Sequence, residues 1–270
     1  MKITEKGLVL KEVKLRESDR ILTLFTPRHG IISASARGSL RPGNKLFSAS
    51  GLFCYSEWVL HEGKTMYSVD EAAPIEVFYG LREDIEALAL AAYIAELLQI
   101  FSPTGQEAQT LLRLALNCFY ALSRAIHPPT LVKPAFEMRS LSETGFLPDL
   151  LACEECGTYE GGDFYFDVRG GTLLCGNCLA ERGLVPNLSP AALAALRHIV
   201  LADAEKLFSF QLGQENAALL GAVSEQYLLA HLDWPPKTLA FLKTLMAPAP
   251  NAPEGLRKTN EEINGQKIPE

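Results

Sequence analysis

Two C-x-x-C pairs constrain the fold of this chain more than any other feature. The first motif contains Cys153 and Cys156, the second contains Cys175 and Cys178, and 18 residues lie between the two motifs. This separation lies within the interval typical of four-cysteine zinc sites. Each pair provides two thiolates along one edge of a tetrahedron, and the second pair completes it. We predict one structural zinc ion, because four thiolates leave no position open for water or substrate.

Two disulfides, or four unrelated buried thiols, are the alternative assignments. Disulfides are disfavoured because charged residues stand at the N-terminus where a signal peptide has its apolar segment, which predicts a cytoplasmic protein. A predicted β-hairpin over residues 164–174 would return the second pair to the first. Gly157 and Gly176 stand where knuckle turns need an unhindered backbone. The remaining cysteines, Cys54 and Cys118, are predicted to be core residues.

The first 80 residues have the character of β structure. Five short runs rich in β-branched and aromatic residues are separated by turn signals. The predicted strands cover residues 7–15, 21–26, 31–36, 53–60 and 67–78. Their number and close spacing favour a small barrel of the OB type over residues 1–79.

The pattern changes at Gly80, where helical segments begin. Predicted helices cover residues 81–101, 106–126, 131–143, a segment opened by Ser189 and Pro190, and residues 215–232 and 236–246. Ser is a favourable N-cap and Pro a favoured first helical residue. We therefore predict an α+β multidomain protein. Its parts are the N-terminal OB-fold β-barrel (1–79), a helical bundle domain (80–150 and 184–247), an inserted four-cysteine zinc-finger-like hairpin (151–183) and a disordered tail (248–270).

Basic residues are concentrated in the predicted barrel, although the whole chain has a net charge of −7. The first 64 residues contain 11 Lys and Arg against 6 Asp and Glu, a local charge of +5. The predicted phosphate contacts are Arg37, Arg41 and Lys45, with Arg16, Arg20 and Arg28 as weaker candidates. Phe47, Tyr55 and Trp58 are candidate stacking surfaces for bases. The alternative is a solvated basic loop whose neighbouring aromatics belong to the core.

No catalytic motif accompanies these features. Residues 38–45 approximate a P-loop, but Asn44 separates the second glycine from Lys45, and Leu46 follows where the motif needs Ser or Thr. The five histidines are scattered. The longest apolar run, residues 87–100, contains Glu96 and Gln99, so no membrane-spanning helix is predicted. We expect a protein that is not an enzyme.

Motifs in two blocks resemble those of the RecO family of DNA repair proteins. The first block consists of GLVL at residues 7–10, ESDRILTLFT at 17–26, Gly30, ARG at 36–38 and Arg41. The second consists of FEMRSL at 136–141, GFLPDL at 145–150, C-x-x-C-G at 153–157 and G-G-x-L-L-C-x-x-C at 170–178. The likeness follows the family's order over about residues 1–246.

The resemblance implies an OB barrel, a helical domain and a zinc-finger-like insertion. It implies binding to single- and double-stranded DNA, and annealing of complementary strands without nucleotide hydrolysis. The implied partners are RecR, often RecF, and the single-strand-binding protein, with RecA loaded at gaps and breaks and a cytoplasmic, nucleoid-associated location. The family's basic loop is often richer in Arg and Lys, whereas Ser39, Leu40 and Pro42 stand here and Lys45 replaces a common Arg. The acidic, apolar tail of the single-strand-binding protein is expected on the helical domain, near Arg124, Lys133 or Arg139.

Three other functions are compatible with the residues alone. The first is an OB-plus-zinc module that binds RNA, and the second is an adaptor whose barrel binds only protein. A zinc enzyme is the third, although an intact set of four thiolates argues against it.

Overall fold

A computed structural model describes residues 1–102 and 105–247. The tail predicted for residues 248–270 lies outside this described part. Within it, no helix combines the length and the apolar character that crossing a membrane requires.

The N-terminal part is a closed five-stranded barrel with the strand order β1-β2-β3-β5-β4. The strands are β1 (Lys2–Lys14), β2 (Arg20–Thr26), β3 (Gly30–Ala36), β4 (Tyr55–His61) and β5 (Tyr67–Glu76). Neighbouring strands are antiparallel except β3 and β5, which pair in parallel. All five predicted strands are confirmed, with ends that shift by a few residues.

Successive side chains of a strand point to opposite faces of the sheet, so the apolar residues of the barrel are divided between two hydrophobic clusters. Val9, Leu24 and Ile32 belong to the inner cluster together with Trp58, whose indole N–H donates to the carbonyl of Gly7 at 3.0 Å. Trp58 is therefore a core residue, which is the alternative assignment for the aromatic residues, and its completely buried side chain offers no stacking surface. Other barrel residues, including Leu8, Leu10 and Phe25, join a second cluster that continues into the helices.

Eight α-helices occur in the described part of the chain. They are α1 (Leu46–Ala49), α2 (Ile85–Phe101), α3 (Gln109–Ser123), α4 (Pro129–Glu143), α5 (Gly176–Arg182), α6 (Pro190–Leu201), α7 (Gln214–Ala230) and α8 (Lys237–Met246). The six predicted helices are confirmed, whereas the short helices α1 and α5 were not predicted. Helix α2 begins later than predicted because the Asp84 carboxylate accepts the N–H groups of Glu86 and Ala87 and caps it. The preceding segment, Tyr79–Arg82, is a 3₁₀ helix.

The barrel packs directly on the helices through an aromatic contact. The Phe119 ring of α3 meets Phe53 and Phe78 edge-on, with ring centroids 5.2 and 5.7 Å apart. Gly80 permits the close approach, since a Cβ there would lie 1.9 Å from the carbonyl oxygen of Ser123. At the β2–β3 turn, backbone hydrogen bonds also join residues 27 and 29 to the segment that precedes α3.

A buried carboxylate ties together α2, α4 and α7. Glu137 is completely buried and accepts hydrogen bonds from the hydroxyls of Tyr93 (2.6 Å) and Ser224 (2.7 Å). The Lys133 ammonium lies 2.8 Å from the same carboxylate and 3.0 Å from Glu225. Burying this charge is tolerated because each oxygen has a donor.

Candidate nucleic-acid interface and metal centre

The four predicted cysteine ligands converge at one point. The Sγ atoms of Cys153, Cys156, Cys175 and Cys178 all lie within 4.8 Å of one another. Four sulfurs around one zinc at Zn–S distances of about 2.3 Å are separated by about 3.8 Å. The donor set and its spacing therefore fit a tetrahedral zinc ion.

Hydrogen bonds around the first cysteine pair favour thiolates, the form that binds metal, whereas the hydrogen bond with Cys156 is the largest influence that raises the pKa of Cys178. Burial, the largest influence on Cys153, raises the pKa of this thiol, but N–H groups of Cys156, Cys175 and Glu155 outweigh it and the pKa is lowered. The pKa of Cys156 is lowered to about 6, first by the hydroxyl of Thr158 and then by its N–H. Hydrogen bonding to the charged form has this effect in general.

The predicted hairpin delivers the second cysteine pair. Strand β6 (Phe164–Asp167) pairs with β7 (Thr172–Cys175), and Cys153 forms a parallel bridge with Leu173 of β7. Gly157 takes the positive φ of 72° expected in a knuckle. Gly176 starts helix α5, and a Cβ at this position would lie 3.6 Å from the Asp163 carbonyl oxygen.

Arg197, which the sequence analysis missed, fastens the cysteine segment to helix α6. Its guanidinium donates to the carbonyls of Leu150, Leu151 and Tyr159 at 2.8 to 3.1 Å, and it stacks 4.2 Å from the Tyr159 ring centroid. An arginine with three backbone acceptors cannot be recognised from sequence spacing, because its acceptors lie 38 to 47 residues away.

Four of the six predicted phosphate contacts lie around two connections at one end of the barrel. The β1–β2 loop (residues 15–19) contains Arg16, and the β3–α1 connection (residues 37–45) contains Arg37, Arg41 and Lys45. All four side chains are exposed. The carboxylate of Asp19 accepts the Gly38 N–H at 2.8 Å, and Leu40 donates to the carbonyl of Ser18 at 2.9 Å, so the two connections are joined.

Two clefts that share Arg37 place three of these cations, Arg16, Arg37 and Lys45, close together. Arg16 and Arg37 line a cleft of about 350 Å³, whereas Arg37 and Lys45 line an adjoining cleft of about 480 Å³. The pKa of Asp19 is lowered chiefly by the Gly38 N–H, with smaller contributions from the nearby Arg16 and Arg41. We call these four residues, Arg16, Arg37, Arg41 and Lys45, the basic rim. Acidic residues also line the larger cleft: Glu57, Asp70 and Glu71.

The other two predicted phosphate contacts lie elsewhere. Arg28 is exposed in the β2–β3 turn, at the far end of strands β2 and β3, where the barrel meets the helices. Arg20 is only 8% exposed and is enclosed beneath the rim, where it pairs with Glu12 at 3.0 Å. We therefore withdraw Arg20 as a phosphate contact, since its guanidinium faces the protein.

One aromatic residue remains exposed beside the rim. Phe47 of α1 is 49% exposed, and its ring centroid lies 5.7 Å from the Arg20 guanidinium carbon. Tyr55 is half-buried against the core shared with the helices.

The strand register identifies a surface that the sequence analysis missed. Ser33 and Ser35 alternate with buried Ile32 and Ala34 on β3, and Arg37 continues this outward row. Across the sheet, Lys11 and Thr23 form a register pair, and Thr23 pairs with Ser33. The strict alternation of residues 32–37 was a signal that could have located this face.

The three candidate residues of the helical domain are in different environments. Lys133 is buried between two glutamates, and Arg139 donates to the carbonyls of Ile199, Val200 and Ala202 at the end of α6. The charged groups of Lys133 and Arg139 therefore bind partners within the helical domain and are not free to bind a peptide. Arg124 is exposed, and its guanidinium carbon lies 5.8 Å from the Tyr120 ring centroid.

Two family models match the chain. "Recombination protein O N terminal" covers residues 1–78, and "Recombination protein O C terminal" covers residues 82–240. The curated "DNA repair protein RecO" of Acetivibrio thermocellus is 38% identical over 239 residues, 88% of this chain and 95% of the relative. The namesake of Symbiobacterium thermophilum is 30% identical over 243 residues, 88% of this chain and 96% of the relative.

The matches assign the barrel and the helices to the two halves of one class of recombination protein. The chain belongs to the RecO family, as the motif resemblance predicted.

Proposed function

We propose that this protein is a DNA repair and recombination mediator that binds DNA through the basic rim. The main observation in support of this proposal is that four basic side chains are exposed around one end of a closed barrel: Arg16, Arg37, Arg41 and Lys45. The segment that precedes α3 contacts the barrel at the β2–β3 turn, which is the other end, so these contacts leave the rim accessible to a long polymer. The strand order and the five-stranded closure support the OB-fold assignment, and OB folds bind oligonucleotides through their loops and the face of strands 2 and 3.

The same geometry supports strand annealing without nucleotide hydrolysis. Two phosphate backbones repel each other, and cations that neutralise phosphates release condensed counterions and lower this barrier. Phosphate contacts of this kind are largely independent of sequence. Half-exposed Phe47 offers a stacking surface for an unpaired base.

The zinc ion would be structural in this proposal. Cys153, Cys156, Cys175 and Cys178 would hold it. It would join the loop that contains the first cysteine pair to the end of β7 and the start of α5. The protein would act in the cytoplasm at the nucleoid, with RecR and RecF, in the loading of RecA.

The test is fluorescence anisotropy of a labelled single-stranded oligonucleotide over a range of salt concentrations. Replacing Arg37, Arg41 and Lys45 with Ala is expected to reduce the slope of log K against log salt by about 2, or ~0.7 per lost contact. The matched control removes three exposed charges elsewhere, by Arg169→Ala, Lys206→Ala and Lys237→Ala, and should leave the slope unchanged. Equal slopes in the wild type and the rim variant would contradict the proposal.

Competition distinguishes the alternative functions. Unlabelled DNA is expected to displace the probe at lower concentration than RNA of the same sequence. Preferential displacement by RNA would favour the RNA-binding alternative. A wild-type protein that binds no oligonucleotide even at low salt would favour the protein adaptor.

We further propose that the acidic, apolar tail of the single-strand-binding protein docks beside Arg124. This residue is the exposed cation among the three helical candidates, and Tyr120 and Ile126 are half-exposed apolar neighbours. Tyr120 and Ile126 line a cleft of about 380 Å³ with the stacked rings of His127 and Phe208. Arg124→Glu should weaken binding of the tail peptide, whereas Arg169→Glu should not; equal binding by both variants would contradict this surface.

A further inference from the structure

We infer that Arg20 is a positioning residue that holds the basic rim and Phe47 in their binding conformation from beneath. The inference rests on the proposed function of the rim, and it assigns Arg20 a role that requires no contact with DNA. Arg20 starts strand β2 directly after the β1–β2 loop, so it lies where both basic connections meet.

Hydrogen bonds connect Arg20 to three points of the segment that follows Arg37. Its Nη1 group lies 2.7 Å from Ser50 Oγ, 3.3 Å from the Ser39 carbonyl and 3.5 Å from the Phe47 carbonyl. The Ser50 hydroxyl in turn donates to the Leu46 carbonyl at 2.6 Å. One buried guanidinium therefore reaches both ends of the segment that contains Arg41 and Lys45.

Arg20 also has a defined anchor on the barrel. Its Nε atom lies 3.0 Å from Glu12 of β1, and its guanidinium lies beneath the exposed Phe47 ring. A planar guanidinium can contact a carboxylate, carbonyl oxygens and a ring face simultaneously, whereas an ammonium cannot. The expected role is thus specific to arginine.

The two residues that precede Arg20 in the β1–β2 loop also hold the β3–α1 connection in place. Asp19 accepts the Gly38 N–H, and Ser18 accepts the Leu40 N–H. Three consecutive residues therefore contact the β3–α1 connection: Ser18 through its carbonyl oxygen, and Asp19 and Arg20 through their side chains. A loop fixed in advance loses less conformational entropy when it binds.

The test separates positioning from direct contact by the salt dependence of binding. Arg20→Met is expected to weaken binding of a single-stranded oligonucleotide about tenfold while the salt slope stays that of the wild type. Arg37→Met, the matched exposed arginine, is expected to reduce the slope by about 0.7. A slope reduced by the same amount in Arg20→Met would make Arg20 a phosphate contact and overturn the inference.

A second measurement needs no DNA. Amide hydrogen exchange of residues 38–47 should become faster in Arg20→Met than in the wild type, while exchange in α4 and α7 stays unchanged. Unchanged exchange in residues 38–47 would overturn the inference. Faster exchange in a protein that binds no oligonucleotide would instead reject the proposed function and leave the loop-holding role supported.

Two further variants cover the case in which Arg20→Met does not fold. Ser50→Ala removes the nearest acceptor of Arg20 and should produce the same changes to a smaller extent. Arg20→Lys keeps the charge, and it should resemble Arg20→Met because an ammonium cannot reproduce the planar contacts. Wild-type binding and wild-type exchange in both variants would overturn the inference.

Discussion

The Oδ1 atom of Asp19 accepts a hydrogen bond of 2.8 Å from the backbone N–H of Gly38 and joins the two basic connections of the barrel. Gly38 has a φ of +67°, which favours glycine at this position. The carboxylate thus fixes a turn that separates Arg37 from Arg41.

The Asp19 contact predicts a pH-dependent contribution to stability. The Gly38 N–H lowers the pKa of Asp19 in the folded protein, so the contribution is present above the unfolded pKa of about 3.9 and is lost as the pH falls through the lowered value. The melting temperature of Asp19→Ala should therefore be lower than that of the wild type at pH 7, and the difference should shrink towards pH 3. Asp233→Ala, which removes an exposed carboxylate, is the control; a difference that does not change with pH would contradict the prediction.

Loss of one cysteine ligand should affect stability more than DNA binding. Cys175→Ser replaces a thiolate ligand with a hydroxyl, and we expect less than one zinc per chain and a lower melting temperature. The salt slope of DNA binding should stay that of the wild type, because the basic rim belongs to the barrel. Mass spectrometry under native conditions measures the metal content, and Cys118→Ala, a substitution at a buried cysteine of α3, should retain it. Normal melting of a metal-free Cys175→Ser variant would argue against a structural zinc.

The buried Glu137 network predicts a substantial cost for loss of one hydroxyl. Burial first, and then Glu137, raise the pKa of Tyr93, so its phenol remains a donor to the carboxylate. Tyr93→Phe should reduce the free energy of unfolding by about 1–3 kcal/mol, measured by urea denaturation. Tyr120→Phe on the half-exposed face of α3 is the control and should change it by less than about 0.5 kcal/mol. Similar values for the two variants would refute a stabilising role for the network.

The close contact at Gly80 predicts that even one methyl group disturbs the junction of barrel and helices. A Cβ at this position would lie 1.9 Å from the Ser123 carbonyl oxygen, so Gly80→Ala should destabilise the protein by about 1–3 kcal/mol. Gly221→Ala within α7 has no atom within 4 Å of the added Cβ, and it should be neutral or stabilising. Thermal unfolding of the two variants makes the comparison, and a stable Gly80→Ala protein would mean that the junction adjusts freely.

The sequence predicted the regular elements well where local signals were strong. Ser189 caps α6 as expected, with its hydroxyl accepting the N–H of Ala192. The start of α2 was predicted four residues too early, because Asp84 caps the helix from outside its first turn and residues Tyr79–Arg82 form a separate 3₁₀ helix. Helix α1 was missed because four residues give no periodic pattern.

The predicted basic residues were separated by the fold. Arg16, Arg20 and Arg28 belong to one short stretch of sequence, yet the first lies on the rim, the second beneath it and the third at the opposite end of the barrel. A strand of seven residues spans about 20 Å, so its two ends serve different surfaces. Neighbours in sequence therefore need not share a site.

The sequence by itself determined which four cysteines come together, the five strands and the family. C-x-x-C spacing and strand alternation depend on residues only a few positions apart. The local backbone therefore fixes the relative positions of these residues, and the sequence pattern is enough to predict them. Only the tertiary structure decided which cations reach solvent and which serve the fold. Arg20, Lys133 and Arg139 form hydrogen bonds with acceptors that lie 19 to 92 residues away in sequence. Whether a charged side chain can be buried depends on whether such distant partners surround it.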